Sequence, residues 1–130
     1  MSTIRTEISV KSPYYIPKHR YLELKHFCLQ YNDWKRRANS INYFGTPGGE
    51  IKSFDISKPV ERLAEKRKRC LKLMEMVEQS CMAADGDIYE WLLRSVTEGV
   101  AYSGLEVPCG RDYFYDRYRK FFWLLDKVRG

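Results

Sequence analysis

The chain has 130 residues, 23 Lys and Arg against 17 Asp and Glu, and a net charge of +6. Hydrophobic residues make up 44% and charged residues 31%, which excludes a disordered tail and leaves room for one domain with a real core. Aromatics reach 15%, with 10 Tyr among them, and a small, basic, Tyr-rich domain points to an anionic partner, first of all nucleic acid.

No run of about 18 apolar residues exists, so no transmembrane helix is expected. Met1 to Val10 alternates polar and apolar residues without an apolar h-region, so no signal peptide is expected and the location reads as cytoplasmic. Cys28, Cys70, Cys81 and Cys109 include no C-x-x-C pair, and His19 and His26 stand together in one short segment. A structural zinc site needs a close ligand pair, so the cysteines read as reduced thiols, and neither metal nor cofactor is expected. Thr46-Pro47-Gly48-Gly49 is a turn signal, not a phosphate loop, and no G-x-S-x-G elbow occurs. The carboxylates are scattered along charged faces, so no catalytic constellation emerges and the chain does not read as an enzyme.

Four helices are expected in a mainly α single domain spanning 1–130, with an extended N-terminal arm over 1–16 and one possible short strand, Glu7 to Val10. The first helix starts near Pro17, where Tyr21, Leu24, Cys28, Tyr31 and Trp34 recur at spacings of three and four. It closes near Lys35-Arg36-Arg37, cations that suit a helix C-terminus. Asn39, Asn42, Gly45, Pro47, Gly48 and Gly49 mark an irregular loop over 39–57. The second helix opens at Ser57, a capping residue, with Pro59 in its first turn. Its stripe of Val60, Leu63, Arg67, Cys70, Met74, Val77 and Cys81 carries it to about Ala84, completing an N-terminal helical part over 17–84. Asp85-Gly86-Asp87 breaks it. In the remaining part, 85–130, Asp87 is a cap for a third helix that buries Ile88, Trp91, Leu92, Ser95 and Val96 and ends at Gly99. The last helix runs from Arg111 to about Lys127, with Phe114, Tyr118, Phe121, Leu125 and Val128 as its buried stripe. Trp34, Trp91 and Trp123 are expected core anchors.

Charge falls in blocks. Residues 1–40 hold eight cations and three carboxylates, a balance of +5; residues 58–70 hold six and two, a balance of +4. Residues 71–99 hold two cations and six carboxylates, a balance of −4. The candidate phosphate-tracking residues are therefore Lys35, Arg36 and Arg37 on the first helix and Arg62, Lys66 and Arg69 on the second, with a solvated helix face as the bland alternative.

The block Ile88 to Arg129 has the layout of a helix-turn-helix: a helix, a small-residue break, a short segment with Tyr102 and Leu105, a Pro-Cys-Gly turn, and a Tyr/Arg-rich helix. In such a motif the exposed residues near the start of the last helix enter the major groove. Arg111 and Arg117 can reach guanine edges or phosphates, Tyr113 can reach phosphate or stack, and Lys120 can hold the backbone. Asp112 and Asp116 stand beside them and oppose phosphate, although an Asp can accept from cytosine N4.

Val96-Thr97-Glu98-Gly99, Tyr102, Leu105, Val107-Pro108, Phe114-Tyr115 and Arg117-Tyr118-Arg119-Lys120-Phe121-Phe122-Trp123-Leu124-Leu125 resemble the small regulators of Gram-positive prophages, of the RinA and ArpU type, whose C-terminal region is similar to sigma-factor region 4. Ser12-Pro13-Tyr14-Tyr15-Ile16-Pro17-Lys18-His19-Arg20, with Phe27-Cys28-Leu29-Gln30-Tyr31 and Trp34, also looks like small prophage proteins of the same bacteria. The resemblance implies a phage-encoded DNA-binding transcription regulator that acts near RNA polymerase in the cytoplasm of a bacterial host. The rival reading is a phage protein that binds and inhibits or redirects a protein machine, such as RNA polymerase or a CRISPR effector, as an anti-CRISPR does. RNA and DNA are not separable at this stage, since the same Arg and Tyr residues serve both.

Overall fold

The computed structural model describes residues 10–44 and 57–130, with side chains described for 10–40 and 61–130. Among the described residues, five α-helices run in the order α1 (Lys18–Cys28), α2 (Tyr31–Phe44), α3 (Ser57–Ala84), α4 (Tyr89–Glu98) and α5 (Arg111–Arg129), with a 3-10 turn at Tyr102–Gly104 between the last two. The fold is mainly α, and no strand occurs among the described residues. The four predicted helical stretches are all present. The first is interrupted at Leu29–Gln30, where Gln30 N–H turns back to the Phe27 carbonyl at 3.2 Å, so it forms α1 and α2. Most of the predicted arm and strand, and the loop over 45–56, lie outside the described residues. Val10 to Tyr14 forms a turn in which Ser12 Oγ accepts from Tyr14 N–H at 3.0 Å.

The chain divides into two compact units, Met1–Gln30 with Met76–Gly130, and Tyr31–Glu75. α3 gives its start to the second unit and residues 76–84 to the first.

In the first unit, α1, α4 and α5 pack against one another. Tyr21, Leu24, Phe27 and Cys28 of α1 are buried, as are Val77, Cys81 and Ala84 of α3, and Ile88, Leu92 and Val96 beside and along α4. α5 supplies Phe114, Tyr118, Phe121, Phe122 and Leu125. Burying apolar side chains at three- and four-residue spacing is what makes these segments helical in water, since helices this short are marginal alone. The rings meet edge-on: Tyr21 and Phe122 centroids are 5.1 Å apart, and Phe121 and Phe122 are 4.8 Å apart. Outside the core, Arg20 Nε donates to Asp126 Oδ1 at 2.5 Å and the Arg129 guanidinium lies 4.0 Å from the Phe27 ring centre, tying α1 to α5.

In the second unit, Tyr31, Trp34 and Ala38 lie on one face of α2 and are buried, as is Cys70 of α3. α2 continues past Arg37 to Phe44, so 39–44 is helix where a loop was expected. Arg67, predicted on the apolar stripe of α3, is half-buried with its Nε shielded from solvent.

Three further details differ from the sequence reading. Val128 is 59% exposed, because α5 passes the end of the core before the stripe reaches it. Trp91 and Trp123 are half-buried at the rim; Trp123 carries the Lys127 ammonium 4.1 Å from its ring centre and faces Tyr14 at 5.6 Å. Asp87 does not cap α4: the N-cap position is Ile88, no side chain caps the helix, and Asp85 Oδ1 instead closes the turn before it by accepting the N–H groups of Asp87 and Ile88 at 2.9 and 3.4 Å. Gly99 ends α4 as expected, at φ 70°, with its N–H on the Ser95 carbonyl at 2.9 Å.

Two substitutions test this packing by urea unfolding. Phe121→Ala, at a fully buried site, is expected to cost about 3–5 kcal/mol. Gly99→Ala is expected to cost about 1 kcal/mol from backbone strain alone, because an added Cβ would sit 3.8 Å from the nearest atom, Leu29 Cδ2, without a clash. An unchanged midpoint in either variant would contradict the packing described.

Candidate nucleic-acid interface

The Pro-Cys-Gly turn delivers α5 from a segment held by its own side chains. After Gly99 the chain makes one 3-10 turn, buries Leu105, and passes Glu106 at φ 56°. The Tyr102 hydroxyl donates to the Cys109 carbonyl at 2.5 Å, and Tyr102 N–H donates to the Tyr115 hydroxyl at 3.2 Å. These two bonds fix the start of α5 against the 3-10 turn. The position of the short scaffold helix in a helix-turn-helix is thus occupied by one turn of 3-10 helix between α4 and α5.

The predicted reading residues then fall on the flank of α5 left over by its buried stripe. Arg111 and Tyr113 are exposed; Arg117 and Lys120 are half-buried. Arg111 lies 5.2 Å from the Tyr115 ring centre and makes no ion pair among the described residues. Arg117 is differently placed. Its Nη2 meets Asp116 Oδ2 at 2.6 Å, its guanidinium carbon stands 5.1 Å from the Tyr113 ring centre, and its Nε is shielded and unpartnered. The Tyr113 hydroxyl in turn donates to Asp85 Oδ2. Asp85, Tyr113, Arg117 and Asp116 therefore form one continuous chain of contacts within the first unit. Asp85 is the residue that the sequence reading missed, and only its place in the Asp85-Gly86-Asp87 break hinted at a special role.

Partial burial pushes the Asp85 carboxyl up, but the Tyr113 hydroxyl, two backbone N–H groups and the Arg117 charge together outweigh it and hold the group below its ordinary value of 3.8. The hydrogen bond to Asp85 moves the Tyr113 phenol the other way, upward.

In the second unit, Lys35, Arg36 and Arg37 are exposed on α2, with Arg36 paired to Asp33 one turn back. Arg62, Lys66 and Arg69 are exposed on α3 and line one open groove with Glu61, Ala64 and Glu65. Spacings of four and three put the three cations on one helix face. None of them makes an ion pair among the described residues. His19 and His26 are both exposed, and no group of three His, Cys, Asp or Glu that could hold a metal ion occurs among the described residues. No described helix is long and apolar enough to cross a membrane.

Compared with known proteins, the chain matches no family model, no curated protein and no solved structure.

The lowered Asp85 carboxyl sets an acid dependence. A depressed carboxylate stabilises the fold fully above its unfolded-state value near 3.8, and that contribution disappears as pH falls through the lower native value. The unfolding midpoint of the native chain is therefore expected to drop more steeply than that of Asp85→Asn between about pH 4 and 2. Parallel pH profiles would show that Asp85 has no such role.

Proposed function

We propose that this protein binds duplex DNA as a transcription regulator. The observation that carries the reading is the run Arg62, Lys66 and Arg69: three exposed cations on one face of α3, none ion-paired among the described residues. Unpaired cations on one helix track phosphates at low cost, because no internal carboxylate must be displaced, and each neutralised phosphate releases counterions. Exposed Arg111 at the start of α5 supports base or phosphate contact by that helix. The finer reading, a phage-encoded regulator acting near RNA polymerase in a bacterial cytoplasm, rests on the resemblance of residues 88–125 to sigma-region-4-like prophage regulators. A second reading, capture of a protein machine such as RNA polymerase or a CRISPR effector, draws support from the carboxylates Asp112 and Asp116 on the outward flank of α5, which oppose a polyanion.

The test is duplex binding across a salt series. Affinity should fall steeply as salt rises, and replacing Arg62, Lys66 and Arg69 together by Gln should flatten the log–log slope by about two to three. Absent or salt-insensitive binding sinks the DNA reading. Stoichiometric retention of purified RNA polymerase without DNA favours the second.

A further inference from the structure

The two arginines of the α5 reading flank are not equivalent. Arg111 is exposed and makes no ion pair among the described residues, whereas Arg117 is already neutralised by Asp116 at 2.6 Å. Arg117 is also pinned: its guanidinium lies over the Tyr113 ring, 5.1 Å from the centre, and that ring is held by the hydroxyl's bond to Asp85. Asp85 is anchored by the Asp87 and Ile88 N–H groups of the turn just before α4. The pinning thus runs from α5 to the α3–α4 connection rather than ending on a mobile surface side chain.

A guanidinium held this way is a poor partner for an arbitrary phosphate. The incoming oxygen must displace a carboxylate that is covalently one residue away and always present at high local concentration. A ligand that offers more than a phosphate at this point can still win, because a bidentate base edge supplies two aligned acceptors. The Asp116 carboxylate also repels the phosphate backbone itself.

We propose that Asp116 is a specificity-determining residue, holding Arg117 out of non-specific phosphate contact through the Asp116–Arg117–Tyr113–Asp85 chain. This rests on the DNA reading above. It makes Asp116 a filter: the free cations supply general affinity, and Arg117 is released only where the duplex repays the lost ion pair.

The test uses the full chain with a duplex of random sequence. Asp116 makes no hydrogen bond or ion pair other than to Arg117 among the described residues, so Asp116→Asn keeps the fold and tests charge alone. Freeing one half-exposed arginine should tighten binding by up to roughly fivefold, the scale of an exposed ion pair. It should also steepen the log–log salt slope by about one, the signature of one more neutralised phosphate. Adding Arg117→Gln to Asp116→Asn should cancel both changes, whereas Arg117→Gln alone should barely alter binding. A general charge effect would make Arg117→Gln alone weaken binding about as much as Asp116→Asn tightens it, and such a result overturns the proposal. Native-chain binding that Asp116→Asn leaves unchanged also overturns it while the DNA reading stands. No duplex binding by any of these proteins removes the DNA reading and the filter together.

Discussion

The burial of one aromatic face of α5 is the constraint from which the rest of the first unit follows. Phe114, Tyr118, Phe121, Phe122 and Leu125 are all sequestered, and a helix turning every 3.6 residues then has no freedom in what it shows outward. Arg111, Tyr113, Asp116, Arg117 and Lys120 are on the flanks because the buried stripe occupies the inward face. The same packing brings α5 close enough to the α3–α4 connection for Tyr113 to reach Asp85. Core composition therefore decides the electrostatics of the outer surface, although none of the charged groups is itself in the core.

Much of the fold was legible because it is periodic. The stripe Tyr21, Leu24, Cys28, Tyr31 and Trp34 is buried at every position, even though the helix carrying it is broken in the middle. That break has no signal in the residues: Leu29 and Gln30 include no Gly or Pro, and only the resumption of helix at Tyr31 shows it. Asn39 and Asn42 pointed the other way. They are weak helix formers, yet α2 runs through both, with Ala38 buried on the turn before. Periodicity also overshot, projecting Val128 into a core that ends earlier.

The candidate site was legible in its chemistry and not in its wiring. Arginine and tyrosine at the start of a last helix, and a cationic run at the start of α3, are visible in residue types and spacing. Pairing across 28 residues is not, so the bond from Tyr113 to Asp85 could come only from the folded arrangement. The same holds for the turn before α4. Asp85 and Asp87 are chemically equivalent in the sequence, and the backbone path alone makes the first the acceptor of the Asp87 and Ile88 N–H groups. Charge blocks were correct as arithmetic, but they did not distinguish a paired cation from a free one. That distinction separates Arg117 from Arg62, Lys66, Arg69 and Arg111.

The cysteines distribute themselves in a way that has little to do with binding. Cys28 and Cys81 are buried in the first unit and Cys70 in the second, all as free thiols, while Cys109 is only half-buried beside the α5 start. Burial pushes the Cys28 and Cys81 thiols up, so neither offers a thiolate to solvent while the first unit stays closed. Each unit consequently carries a chemical clock of its own. The rate at which an alkylating reagent reaches Cys70, set against the rate for Cys28 and Cys81, reports whether the two units open as one cooperative body or as separate ones.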